Sequence, residues 1–202
     1  MTLWRGTDPL ILASQSRARK MLLANAGIAF EAIPADIDER AVQKSSELSA
    51  PGEIAALLSR EKALWVSSRK PGNYVLGADQ TLAVGDRLLS KPTGRAEAAE
   101  QLRALAGKTH ELHSAVAVAH DSKILFESTV IARMSMRQLS GSEIRSYLDE
   151  AGNAVTSTVG AYQLEGLGVH LFERIEGDHF TILGLPLLQL LAFLRRERLL
   201  GI

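Results

Sequence analysis

Two hydroxyls one residue apart, Ser14 and Ser16, are followed by Arg17, Arg19 and Lys20. The apolar run 10–13 before them reads as a buried strand, and Met21, Leu22 and Leu23 after them form a helical stripe that Gly27 closes. The serines therefore sit where a strand enters a helix. A helix N-terminus exposes unpaired amides and a partial positive charge, which makes it a ready anion site. Arg19 adds a planar fork that matches phosphate oxygens. The plainer alternative is a serine that caps the helix beside solvated basic side chains.

Further along lie Asp38-Glu39, then Arg60-Glu61-Lys62-Ala63, then Gly77-Ala78-Asp79-Gln80, then Ser90-Lys91-Pro92. The acidic pair could hold a hydrated Mg²⁺, which takes one or two carboxylates plus substrate phosphates; an exposed acidic loop is the rival. Lys62 lies one turn beyond Leu58, near the edge of an apolar helix face. Its amine either snorkels from the core edge or points at phosphate. Asp79 follows the apolar run 74–78, where open α/β sheets collect ligands, and a carboxylate there can orient water or bind a metal. A turn-forming Asp is the alternative. The glycine-rich stretch 160–168, which contains Glu165, would let backbone approach a flat ligand closely. His110 and His113 fall on opposite faces of a strand and do not make a metal pair.

These residues need elements to carry them. Residues 30–34 read as a strand, 49–68 as a long helix, and 74–78 as a buried strand ending at Asp79. Residues 81–84 and 88–89 read as a hairpin about Gly85-Asp86. Thr93 caps a helix to Leu105. Residues 110–119 and 124–136 read as strands about the turn 120–122, and Ser140 with Glu143 makes a capping box. A strand at 169–175, an apolar run at 180–183 and a terminal helix from Pro186 complete the chain. Helices interleaved with strands and hairpins predict an α/β fold with a mixed sheet, residues 1–202 forming one domain.

The remaining composition narrows the class. The 202 residues carry 23 basic and 23 acidic side chains, so no net field draws the chain to nucleic acid or membrane. Cysteine is absent, which excludes disulfides, thiolate zinc sites and a cysteine nucleophile. Residues 1–9 lack the apolar core of a secretory signal, and no apolar run reaches the ~20 residues of a membrane helix. A cytoplasmic setting is expected. Neither a Walker A loop nor a dinucleotide fingerprint occurs, which argues against P-loop kinases and NAD enzymes.

The order of the motifs, from Leu-Ala-Ser14-Gln-Ser16 with Arg19 through Asp38-Glu39, Lys62, Gly77-Ala78-Asp79-Gln80, Ser90-Lys91-Pro92, Gly160-Ala-Tyr with Glu165-Gly166, to Gly184-Leu-Pro186-Leu, closely resembles the Maf family over nearly the whole chain. The resemblance implies an inosine-triphosphatase-like fold, a mixed sheet in two lobes around a deep cleft. It implies hydrolysis of nucleoside triphosphates to monophosphate and pyrophosphate, a divalent cation (Mg²⁺, Mn²⁺ or Co²⁺), a homodimer and a role in clearing non-standard nucleotides. By the same resemblance, Ser14, Ser16, Arg19, Lys62 and Lys91 would hold the triphosphate. Glu39 and Asp79 would gather the metal, with Asp79 the proton acceptor. Ala18, Gln80 and Glu165 would set base preference. Arg17 stands where the family usually has Pro, and Ala18 where many members have Arg or Trp. Gln80 and Glu165 match the branch acting on 7-methyl-GTP better than the dTTP/UTP branch. A non-hydrolytic nucleotide-binding regulator of division or septum formation is the rival reading.

Overall fold

A computed structural model of the chain describes residues 3–202; Met1 and Thr2, part of the stretch read above for a leader, lie outside the described residues. Strand β1 (Leu10–Leu12) pairs in parallel with β2 (Phe30–Ala32) and with β3 (Tyr74–Val84). Strand β4 (Arg87–Leu89) folds back antiparallel on β3. Three more strands, β5 (Thr109–His120), β6 (Lys123–Met136) and β7 (Phe172–Glu176), complete a seven-stranded sheet in the order β2-β1-β3-β5-β6-β7, with β4 attached to β3. β6 and β7 are antiparallel. Parallel and antiparallel pairs share one sheet, so the expected mixed α/β class holds.

The chain divides into two compact units, one comprising residues up to Gln80 with 114–130 and 179–202, the other 81–113 with 131–178. In the first, helix α1 (Arg17–Asn25) follows β1, and helices α2 (Glu39–Ser46) and α3 (Pro51–Ser67) separate β2 from β3. Helices α6 (His179–Ile182) and α7 (Leu187–Arg196) end it. Strand alternation sorts the side chains. Leu10, Leu12, Leu76, Ala78, Val116 and Val118 pack with Leu22 and Leu23 of α1 and with Leu190, Phe193 and Leu194 of α7. Ile11, Ala13 and Val75 face the other way, against Val66 of α3. Both faces are covered, which is why residues 10–13 are apolar in succession.

Gly77 shows how close α3 lies. A Cβ built there would sit 2.7 Å from the Ala63 backbone nitrogen, with the Ser59 carbonyl oxygen nearer still. Only a residue without a side chain lets helix backbone rest on this strand.

Several expected boundaries move. Asp79 does not end a strand: 74–78 and 81–84 are one strand, β3, running through Asp79 and Gln80. The acidic pair ends its loop rather than lying within it; Asp38 caps α2 by accepting from the Ala41 amide, and Glu39 opens the helix. That helix is only eight residues long, buries none of them, and has Ala41 and Val42 as its only apolar residues, too short an apolar run to reveal it. The long helix begins at Pro51 rather than Ser49, and the last strand at Phe172 rather than Val169, because residues 167–171 form a 3-10 turn.

In the second unit, helix α4 (Arg95–Leu105) precedes β5, and α5 (Gly141–Ala151) opens with the expected reciprocal bonds between Ser140 and Glu143. His110 is buried there, its Nε2 2.6 Å from the Tyr162 hydroxyl and its ring beside Phe172. Burial pushes its pKa down from 6.5 to about 4.

Two outcomes follow. Gly77→Ala must displace helix backbone and should cost about 3 kcal/mol or more in urea unfolding. The unfolded chain regains the ordinary His110 value and binds its proton first. Stability should therefore fall as pH drops through 6.5 and level off below about 4, by on the order of 3 kcal/mol from this group. His110→Gln should remove that component; superimposable pH–stability curves for parent and variant would refute it.

Candidate active site

Asp79 lies on the same face of β3 as Gly77, two residues on, and so points to the side where α3 rests on the strand. One turn of α3 past Ser59 brings Lys62 to the same place. Its ammonium donates to Asp79 Oδ1 at 2.6 Å and pairs with Glu39 Oε1 at 2.8 Å. The Asp79 and Lys62 side chains are each 10% exposed and that of Glu39 51%, so the inner pair is shielded and the outer carboxylate meets solvent. Burial raises the Asp79 carboxyl above its ordinary value; Lys62 and Arg19 pull it back, and Glu39 adds to the rise. A carboxylate held this way is a stronger proton acceptor than a solvated one.

On the other face of β1 and β3, Arg19 reaches back from the first turn of α1. Its Nε donates to Gly184 O at 2.8 Å, and its Nη1 to Ala78 O at 2.8 Å and to Ser14 Oγ at 3.2 Å. Burial lowers its guanidinium from the ordinary value, against the pull of Asp79 and Glu39. These bonds use Nε and Nη1 and leave Nη2 out. Ser16 caps α1, accepting from the Arg19 amide at 3.4 Å, and Ser14 Oγ accepts from the Ser16 amide at 3.2 Å. Both serine hydroxyls are thus engaged in shaping the turn that opens α1. Ala18 is half-buried against the α1/α7 core.

Gln80 faces away from Asp79. Its Nε2 donates to Ser114 Oγ at 2.9 Å and to the carbonyls of Thr181 and Ile182 at 3.2 and 3.0 Å. Ser114 Oγ donates to Thr181 O at 2.7 Å. The amide nitrogen is fully used by protein, which leaves Oε1 as its remaining polar atom. The turn 181–184 thus receives bonds from both Gln80 and Arg19. Neither Ser114 nor Gly184, which these side chains bind, carried a local signal beyond the Gly184-Leu-Pro186 motif.

The structure brings Ser14, Ser16, Arg19, Glu39, Lys62, Asp79 and Gln80 into the first unit. Lys91 and Glu165 belong to the second. Lys91 is exposed just after β4, and Glu165 is exposed in a turn closed by the amides of Gly166 and Gly168 on Gln163 O. Among the described residues no three His, Asp or Glu side chains gather as a metal cage. The Glu39–Asp79 pair fits a hard cation in the form Mg²⁺ takes, with two carboxylates that already share one cation, the Lys62 ammonium.

Residues 9–197 match the family described as Maf-like protein. The chain is 69% identical, over the full length of both, to a nucleoside triphosphate pyrophosphatase of Bradyrhizobium diazoefficiens. It is 64% identical, again over both full lengths, to one of Nitrobacter winogradskyi. A 7-methyl-GTP pyrophosphatase of Brucella abortus is 50% identical over 95% of this chain and 98% of its own length. Together these matches establish that the chain belongs to the Maf family.

Proposed function

We propose that the chain, residues 1–202 acting as one catalytic domain, hydrolyses a nucleoside triphosphate to the monophosphate and pyrophosphate. The observation that carries this reading is the Lys62 ammonium held between Asp79 and Glu39. A pure binder of nucleotides has little use for a buried carboxylate whose proton affinity is raised. Hydrolysis needs such a group, because water attacking the α-phosphorus must lose a proton as the bond to the β-phosphate oxygen breaks.

Asp79 accepts that proton. Lys62, Arg19 through Nη2, and Lys91 offset the ~4 negative charges of the triphosphate, and Ser14 and Ser16 with the α1 N-terminus orient its oxygens. A divalent cation on Glu39 and Asp79 would supply further neutralisation of phosphate oxygens. Ala18, Gln80 and Glu165 set base preference, and the Glu165 carboxylate can accept from the N–H donors of a guanine edge. The 7-methyl-GTP activity in the Brucella relative's name and the identities of Gln80 and Glu165 favour a methylated guanine nucleotide. The working partner is a second copy of this chain, not nucleic acid or membrane. The cytoplasm is the setting; no helix among the described residues is long and apolar enough to cross a membrane.

Asp79→Asn, isosteric and with Glu39 still opposite Lys62, should lower stability without abolishing folding and lower kcat by on the order of 10²-fold or more; near-normal turnover would remove Asp79 from its role. Pyrophosphate release, screened over ordinary triphosphates and 7-methyl-GTP, should require Mg²⁺, Mn²⁺ or Co²⁺ and stop with chelator. Release from no substrate would turn the assignment to the binding regulator.

A further inference from the structure

Helix α4 carries a buried amide within its apolar stripe. Gln101 stands among Ala98, Leu102 and Leu105, all fully buried, and is itself 6% exposed. Its Nε2 donates to Ser90 O at 2.8 Å and its Oε1 accepts from the Gly160 amide at 3.1 Å. A carbonyl at one end and an N–H at the other permit only one orientation of the side chain. Ser90 is the residue before Lys91, and Gly160 opens the stretch that leads to Glu165. One turn earlier on the same helix face, Glu97 Oε2 accepts from both the amide and the hydroxyl of Thr93 at 2.8 Å. The segment 90–93 is therefore held at both ends by α4.

The segment at the other end of Gln101 is bent into a rare shape. Gly160 has φ +78° and Ala161, buried and not a glycine, has φ +61°. Left-handed backbone at an alanine persists only where surroundings enforce it, and such strain concentrates at functional sites. Here the enforcement is visible. Beside the Gln101 bond, Tyr147 Oη donates to Ala161 O at 3.2 Å, and Thr158 Oγ1 to Tyr162 O at 2.6 Å. His110 meets the Tyr162 hydroxyl. A Cβ on Gly160 would lie 2.6 Å from Leu82 Cδ1 and 2.8 Å from the Tyr162 ring, so the turn packs closely at the glycine.

We propose that Gln101 is a positioning residue that sets the backbone carrying Lys91 and the strained turn leading to Glu165 in one fixed relation, coupling triphosphate affinity to base discrimination. The inference rests on the roles given above to Lys91 and Glu165. Gln101 touches no substrate; it acts through the Ser90 carbonyl and the Gly160 amide. Loss of both bonds loosens both segments at the points where Gln101 holds them. Loss of the Ser90 bond alone frees only the lysine.

The test compares Gln101→Met, which keeps volume and loses both bonds, with Gln101→Glu, which keeps an acceptor for Gly160 and turns a carboxylate oxygen on Ser90 O. KM and the kcat/KM ratio among 7-methyl-GTP, GTP and UTP are measured on variants shown folded by circular dichroism and Tm. Q101M should raise KM about tenfold and compress the substrate ratio about tenfold, the size of one lost interaction each. Q101E should raise KM and keep the ratio. Unchanged KM and ratio overturn the proposal, as does an equal loss of kcat on every substrate, the signature of a merely structural residue. If Q101M does not fold, the KM and ratio of Q101E decide by the same criteria. Lys91→Met and Glu165→Gln run alongside. If they leave KM and ratio untouched, the roles of those residues fall and the proposal with them; if they respond and both Gln101 variants do not, the proposal alone falls.

Discussion

The arrangement of the first unit depends on one buried ion pair. A carboxylate and an ammonium taken out of water lose several kcal/mol of hydration each, and only close mutual contact with well-placed bonds restores it. Asp79 and Lys62 meet that condition because α3 rests directly on β3, and α3 can rest there because residue 77 has no side chain. A larger residue would lift the helix and leave two unpaired charges in the interior. The glycine, the helix and the pair are thus one device. Glu39 joins it from outside, where water still screens its charge, so the ammonium has one dry partner and one wet one.

Arg19 serves the opposite face of the sheet in a comparable way. Its bonds to Ala78 O, Gly184 O and Ser14 Oγ satisfy acceptors from the end of an apolar run, a loop before the last helix, and the serine turn. Gln80 binds the last two carbonyls of α6, just upstream of that loop. The residues on either side of the Asp79 carboxylate are therefore fixed from behind by hydrogen bonds to the protein itself. The second unit applies the same principle through a buried amide and a left-handed turn rather than an ion pair.

Much of this was legible in the order of residues. The capping box at Ser140 and Glu143, the helix stop at Gly27, the β3–β4 hairpin about Gly85 and the mixed α/β class all rest on signals within a few residues, where periodicity and turn chemistry act. Helix α2 was hidden because it buries nothing. The passage of β3 through Asp79 and Gln80 was hidden because two polar residues look like the end of a strand unless their partners, from α3 and from residues 114 and 181–182, are known.

The sequence by itself determined which groups were available: a serine turn ahead of a basic helix, carboxylates at 39 and 79, lysines at 62 and 91, and a glycine where backbone must come close. Tertiary structure decided which of them meet. It paired Lys62 with Asp79 rather than leaving its amine in solvent, and turned two of Arg19's nitrogens to backbone and Ser14. It also gave Gln101 two partners 11 and 59 residues away. The reason is physical. Local signals report the conformation of a segment, whereas the hydration lost by a buried charge or amide is balanced only by atoms that the chain brings from elsewhere.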